Sequence, residues 1–197
     1  MRIKIFSIAV LLLTCGFTLH AQKIAVKTNL LYWGTQTPNL GVELGLGDKM
    51  TFDLSGGYNP WNIKGTATDN KKWVHYLVQP EFRYWTCERF NGHFFGVHGL
   101  FSQYNIGGIE IPSIFDSEPL LDKGSRYEGS AYGGGLSYGY HLMVGKRFGL
   151  EFTLGIGAAY FTYDRYGCDM CSVKAEEGDK FYFGPTKAGI SLVFLIK

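Results

Sequence analysis

From Leu150 the chain reads Leu150-Glu-Phe-Thr-Leu-Gly-Ile-Gly-Ala-Ala-Tyr160, with an apolar side chain at nearly every second position. Strand side chains alternate faces, so Leu150, Phe152, Leu154, Ile156, Ala158 and Tyr160 share one face, opposite Glu151, Thr153, Gly155, Gly157 and Ala159. In a soluble sandwich the apolar face would make the core. Here the second face carries glycine and a carboxylate, which suits the crowded interior of a barrel whose apolar face looks outward to lipid. The pattern recurs along the chain. Leu40, Val42, Leu44 and Leu46 share a face; Met50, Phe52, Leu54 and Tyr58 stand opposite Thr51, Asp53, Ser55 and Asn59; Val74, Tyr76, Val78, Phe82 and Tyr84 stand opposite His75, Gln79, Glu81 and Arg83.

Read in order, a first strand covers Ile24 to Gly34, a short link Thr35 to Asn39 follows, and further strands cover Leu40 to Leu46 and Met50 to Trp61. The polar stretch Asn62 to Lys72 reads as a longer loop. Strands at Trp73 to Trp85, His93 to Ile106, Arg126 to Met143, Leu150 to Tyr163 and Phe181 to Ile196 complete the set, with long connections at Gly107 to Gly124 and Gly167 to Lys180. Short turns after residues 46, 85 and 143 alternate with longer connections, the asymmetry of outer-membrane barrels. The expected fold is all-β: a single antiparallel up-and-down transmembrane β-barrel of about eight strands. With an even strand count both chain ends lie on the short-turn, periplasmic side. Trp33, Trp61, Trp73 and Trp85 fall at predicted strand ends, where lipid headgroups hold amphipathic rings. Pro80 lies on the apolar side of its strand and, lacking an N–H, predicts a bulge or weakened pairing.

Composition places this barrel in a compartment. Met1-Arg-Ile-Lys4 is a basic leader, Ile5 to Leu13 an apolar segment, and Leu19-His20-Ala21 a small-residue cleavage site, so residues 1–21 read as a signal peptide and 22–197 as the barrel domain. Removing Arg2 and Lys4 leaves 19 − 2 = 17 basic residues against 17 acidic ones. A neutral chain without a basic patch is a poor partner for nucleic acid. Cys15 leaves with the leader, and Leu12-Leu-Thr-Cys15 departs from a lipid-attachment box at its threonine. Cys87, Cys168 and Cys171 remain, and an odd number permits at most one internal disulfide. Cys168 and Cys171 share an outer loop and are the candidate pair, with Cys87 left as a thiol across the membrane. Their spacing also fits metal ligands, but no other cysteine or histidine lies in that loop to complete a zinc site, so no metal and no cofactor are expected.

The chemistry-bearing residues collect on the inward face. Glu43, Asp53, Glu81, Arg83, Glu151 and Lys187 all point there, and Lys27 and His98 are placed to join them. Paired carboxylates can perform acid–base work, yet a narrow barrel must fill its interior with side chains, and buried charges persist only when paired. A structural salt-bridge network is therefore the expected reading. His98 and Ser102 suggest a lipid hydrolase, but four residues along one strand is about 13 Å, far beyond the roughly 3 Å that proton transfer needs. His75 on the neighbouring strand remains a cross-strand candidate. Gly133-Gly-Gly135 sits within a strand, with no helix behind it to make a phosphate loop, and predicts curvature or bulky interior neighbours.

Lys27-Thr-Asn-Leu-Leu-Tyr-Trp33, Pro38-Asn-Leu-Gly-Val-Glu-Leu-Gly-Leu-Gly47, Asp53-Leu-Ser-Gly-Gly-Tyr-Asn-Pro-Trp61, Gln79-Pro-Glu-Phe-Arg-Tyr-Trp85 and Phe183-Gly-Pro-Thr-Lys-Ala-Gly-Ile-Ser-Leu192 resemble a family of small outer-membrane barrels from Bacteroidetes catalogued as a domain of unknown function. The resemblance spans nearly the whole chain after the leader. It implies an exported barrel linked to fimbria or surface-adhesin assembly, and carries no catalytic residue. The expected function is a non-enzymatic, monomeric barrel in the cell outer membrane, contacting lipid and displaying loops to surface or fimbrial proteins. A lipid-modifying hydrolase and a narrow pore are the alternatives.

Overall fold

A computed structural model describes residues 24–65, 70–110, 124–167 and 173–196. The residues read as a signal peptide, the candidate pair Cys168 and Cys171, and most of the long connection between Gly107 and Gly124 lie outside these. The strands are β1 (Ile24–Asn29), β2 (Asn39–Gly45), β3 (Met50–Asn59), β4 (Asn62–Gly65), β5 (Asn70–Trp85), β6 (Gly92–Gly107), β7 (Ser125–Met143), β8 (Phe148–Gly167) and β9 (Lys174–Ile196), with one helical turn, α1 (Leu30–Gly34). All pair antiparallel in one sheet, in the order β3-β2-β1-β9-β8-β7-β6-β5-β4, and pairing of β3 with β5 closes the ring. β3 and β4 both pair with β5 and lie end to end, broken at Pro60, so nine segments make eight staves. Among the described residues no helix is long and apolar enough to cross a membrane.

The connections divide by length only in part as the alternation predicts. Leu46–Lys49, 86–91 and 144–147 are tight turns at one end of the ring, where Ile24 on β1 also meets Ile196 on β9. At the other end β1 joins β2 through α1 and residues 108–124 separate β6 from β7, but only 66–69 separate β4 from β5 and only 168–173 separate β8 from β9, because the strands run on into stretches expected as loops. Pro80 interrupts the β5–β6 ladder between Val78 and Glu81 without shifting its register, which is the weakened pairing expected of a missing donor. Glycine lets β7 approach β8 closely: a Cβ at Gly133 or Gly135 would strike the carbonyl of Ala158 or Ile156.

Three segments differ from expectation. The first strand stops at Asn29 rather than Gly34, because the Asn29 side chain accepts from Leu31 N and caps α1. The stretch Asn62 to Lys72 is not simply a loop, since β4 and the start of β5 extend the hairpin. Likewise β9 begins at Lys174, well before Phe181. Above the apolar belt both strand faces meet water, so no alternation marks the strand; instead Asp164 pairs with Lys174 at 2.7 Å and Arg165 with Glu176 at 3.3 Å. Hydrogen bonds to Asp164 and then Glu177 hold Lys174 above the ordinary lysine range.

The burial pattern is inverted relative to a water-soluble barrel. Leu154 (65% exposed), Leu136 (64%) and Val97 (61%) look outward, whereas Glu43 and Glu81 (both 0%) and Arg83 (2%) fill the interior. Of the four tryptophans expected at exposed strand ends, Trp33 and Trp61 are exposed near the α1 end. Trp73 and Trp85 correct that expectation. Their odd numbers put them on the inward face of β5, where Trp85 is fully buried against Phe90 and Phe94 and Trp73 packs on Tyr104, Ile106 and Tyr127. The turn end is thus floored by an apolar cluster of Ala25, Trp85, Phe90, Phe94, Val193 and Leu195. Phe90 reaches it from the 86–91 turn with φ 62°, a left-handed backbone that only a compensating contact sustains in a phenylalanine.

Candidate functional site

Above this floor, the register sets carboxylates side by side. Glu43 on β2 is the direct partner of Asp53 on β3, which is the direct partner of Glu81 on β5. Like charges so placed repel. Cations from elsewhere in the ring make the row tolerable. Arg83 sits at the centre: its Nε donates to Glu81 Oε2 at 2.7 Å, its Nη1 to Glu43 Oε2 and Glu151 Oε2 at 2.9 Å each, and its Nη2 lies 3.5 Å from Asp53 Oδ2. One guanidinium touches four carboxylates, a use of its rigid fork that lysine could not reproduce. Lys27 on β1 approaches Glu43 at 2.5 Å, Asp53 at 3.2 Å and Glu151 at 3.4 Å, and Lys187 on β9 approaches Glu81 at 2.8 Å and Asp53 at 3.8 Å.

Neutral donors complete the shell. Thr51 donates to Glu43 and itself accepts from Trp85 Nε1 at 2.9 Å, tying the network to the apolar floor. Ser137 donates to Glu81 and Thr153 to Glu151. The Arg83 guanidinium lies 4.4 Å from the Phe94 ring centre, a cation–π contact in a dry setting. His98 lies opposite Glu81, with Nε2 2.8 Å from Thr186 Oγ1, and His141 lies opposite Glu151.

Glycine makes room for these side chains. A Cβ at Gly41 would come within 2.7 Å of Lys27, and one at Gly155 within 2.8 Å of His98. One at Gly96 would collide with Glu81 and Ser137, and one at Gly149 with the His141 ring. The alternation of glycine with charge that marks the inward face is thus a packing arrangement.

All six charged residues expected inside, with Lys27 and His98, meet in or beside this one network. Thr51, Ser137, Thr153, His141 and Phe94 were not singled out in the sequence. Their inward parity was readable, but which charges they reach depends on register across strands. Ser102 and His98 do not come together: Ser102 Oγ donates to the Tyr76 carbonyl, while His75 Nδ1 lies 3.3 Å from the Trp73 carbonyl. Cys87 is exposed in the 86–91 turn.

On the α1 side the network borders a cavity of about 30 Å³, room for about two waters, lined by Lys27, Asp53, Arg83 and Lys187 below and by Tyr32 and Gln79 above. Tyr32 Oη donates to Gln79 Oε1 at 3.2 Å, and Gln79 Nε2 donates to the Thr186 carbonyl at 3.2 Å, so this bridge spans from α1 to β9 over the cavity. The short wall at β1 is sealed by two asparagines. Asn29 donates to the Ala188 carbonyl and accepts from Ile190 N, continuing the β9 ladder where β1 ends. Asn39 accepts from Asn29 N at 2.6 Å and donates to the Asn29 carbonyl at 2.9 Å. Chemically the interior can hold charge, water and shape, at a level where side chains occupy the lumen.

A comparison with curated proteins and one with solved structures each return no match. Residues 7–196 do match a family model, and the chain belongs to that family, described as "Protein of unknown function (DUF3575)".

Proposed function

We propose that this protein is a non-catalytic barrel of the cell outer membrane, monomeric, with its short turns in the periplasm and its long connections displayed at the cell surface. The observation that carries the reading is the inversion of the barrel. A belt of exposed Phe, Leu, Ile, Val and Tyr runs around the outside while the interior is ion-paired. In water such a surface would far exceed the few hundred Å² that monomers leave exposed. The belt also has a fitting height. On β8, Phe148, Phe152, Leu154, Ile156 and Tyr160 are exposed. Those twelve steps cover about 40 Å of strand, or about 28 Å along the axis at a tilt of about 45°, against an apolar band of about 25 Å.

The interior network serves to hold the staves together rather than to turn over substrate. Supporting this, every carboxylate in it is matched by at least one cation within 3.5 Å. The displayed connections serve surface structures, fimbriae or adhesins, as the resemblance of the Lys27 and Gln79 segments implies. The barrel reading is tested by refolding the purified chain from urea into phosphatidylcholine liposomes. Heat-modifiable gel mobility with protease-resistant strands is expected; a soluble, detergent-free folded monomer would overturn it. Surface display is tested by proteolysis of intact cells, with cleavage expected within 111–123 or 168–172 and none within 144–147.

A further inference from the structure

On the outward face near the turn end, two rows of side chains run side by side across adjacent strands. Met50, Tyr84, Phe95 and Tyr138 are successive cross-strand partners, and Phe82, Val97 and Leu136 form the next row towards the belt's middle. Between the rows lies an open groove of about 360 Å³, lined by these side chains except Tyr138, which stands just beyond it next to Phe95, and floored by Arg83, Gly96 and Ser137; its volume is within the range of about 300–1,000 Å³ typical of small-molecule sites.

Its flanks are fixed by packing. The Phe82 ring lies 4.8 Å from Phe52, and Phe95 lies 5.3 Å from Tyr138, so the groove exists before anything enters it. Its turn-side limit is polar. Tyr138 Oη lies 2.7 Å from His93 Nδ1, the two rings stack at 5.8 Å and 19°, and Tyr140 packs on His93 at 4.6 Å. Both partners of that pair are exposed.

Resting on the membrane reading above, we propose that this groove binds one phospholipid of the turn-side leaflet, with an acyl chain between the rows and the glycerophosphate headgroup at the His93–Tyr138 pair. The order of polarity argues for that occupant. A dry slot inside the apolar belt opens towards a hydrogen-bonding pair at its edge, which is the order of chain and headgroup in a lipid. A second copy of the chain would bring its own apolar belt and offer no further polar partner to the exposed pair, whose hydrogen bond to each other leaves His93 Nε2 open.

Native mass spectrometry of the full-length chain, refolded into liposomes of phosphatidylethanolamine and phosphatidylglycerol and then extracted in mild detergent, tests this. One retained phospholipid per monomer is expected in the wild type. Val97→Trp, which fills the slot, should cut retention roughly tenfold, and His93→Ala with Tyr138→Phe should weaken it by a similar factor. Leu154→Trp, on a different stretch of the same belt, should retain lipid as the wild type does. Heat-modifiable mobility confirms that each variant is folded, and Val97→Phe substitutes should Val97→Trp fail. Equal retention in all variants, loss in all of them, or a dimer in place of the bound lipid overturns the proposal. Failure of the wild type to insert into the liposomes would instead overturn the membrane reading on which it rests.

Discussion

Replacing Arg83 by alanine probes the centre of the network. In the native barrel the guanidinium contacts Glu43, Glu81 and Glu151 at 2.7–2.9 Å and Asp53 at 3.5 Å, with a side chain only 1% exposed. Without it, Lys27 and Lys187 are left to balance four buried carboxylates. Glu43 would keep Lys27 and Thr51, and Glu81 would keep Lys187 and Ser137. No carboxylate is stripped bare, but the interior falls two charges short. Breaking a buried pair costs about 3–5 kcal/mol, and the loss here belongs in that range. Arg83→Lys should fall between alanine and wild type, since it restores charge without the fork. Combining Arg83→Ala with Glu151→Gln should be less destabilising than the sum of the two, because the second change removes a charge the first has stranded. Urea unfolding in lipid vesicles, followed by the folded and unfolded gel bands, measures all of these. If Arg83→Ala unfolded within about 0.5 kcal/mol of the wild type while a surface phenotype disappeared, the network would be a functional site and the structural reading would be wrong.

Other outcomes follow from particular contacts. Asn29→Ala removes the partners of Ala188 O and Ile190 N at the sealed edge and the cap of α1, and should cost about 1–3 kcal/mol in the same unfolding assay; Asn29→Asp, which keeps the acceptor alone, should cost less. Gly149→Val drives a side chain into the His141 ring and should destabilise by about 1–3 kcal/mol, with recovery in the double variant carrying His141→Ala. Alkylation of the unreduced protein followed by mass spectrometry should label Cys87 alone, with Cys168 joined to Cys171; a peptide linking Cys87 to either would refute the assignment of the two ends to opposite sides of a band about 25 Å thick.

Most of the barrel was legible because burial has a period. Wherever a strand separates a charged interior from an apolar exterior, as from Leu150 to Tyr160, side chains alternate and the face of Glu151 can be read directly. Legibility fails where that separation ends. Lys174 to Lys180 is a strand with water on both sides, so its polar run looks like a loop, and Leu30 to Trp33 looks like strand because its exposed leucines continue the apolar belt after the backbone has turned. Trp73 and Trp85 show a different limit: large aromatic rings fit a lipid interface or a barrel floor, and only parity along β5 decides between them. The network's membership was legible for the same reason its geometry was not. Parity says that Arg83 and Glu151 point inward, but their meeting depends on the order of staves around the ring, which places β5 and β8 across the lumen from one another.

The seam between β1 and β9 has a kinetic meaning. β1 pairs on one side with β2, its neighbour in the chain, but on the other side Ile24 through Asn29 pair with Ile196 through Ser191, so the first described strand must wait for the last before the ring can shut. Until then Lys27 and Lys187, on the two sides of that seam, have no enclosed carboxylates to meet. A contact of such sequence separation makes closure a late and slow event. The charges can therefore remain hydrated through most of assembly, and surrender their water in the same step that joins the two ends.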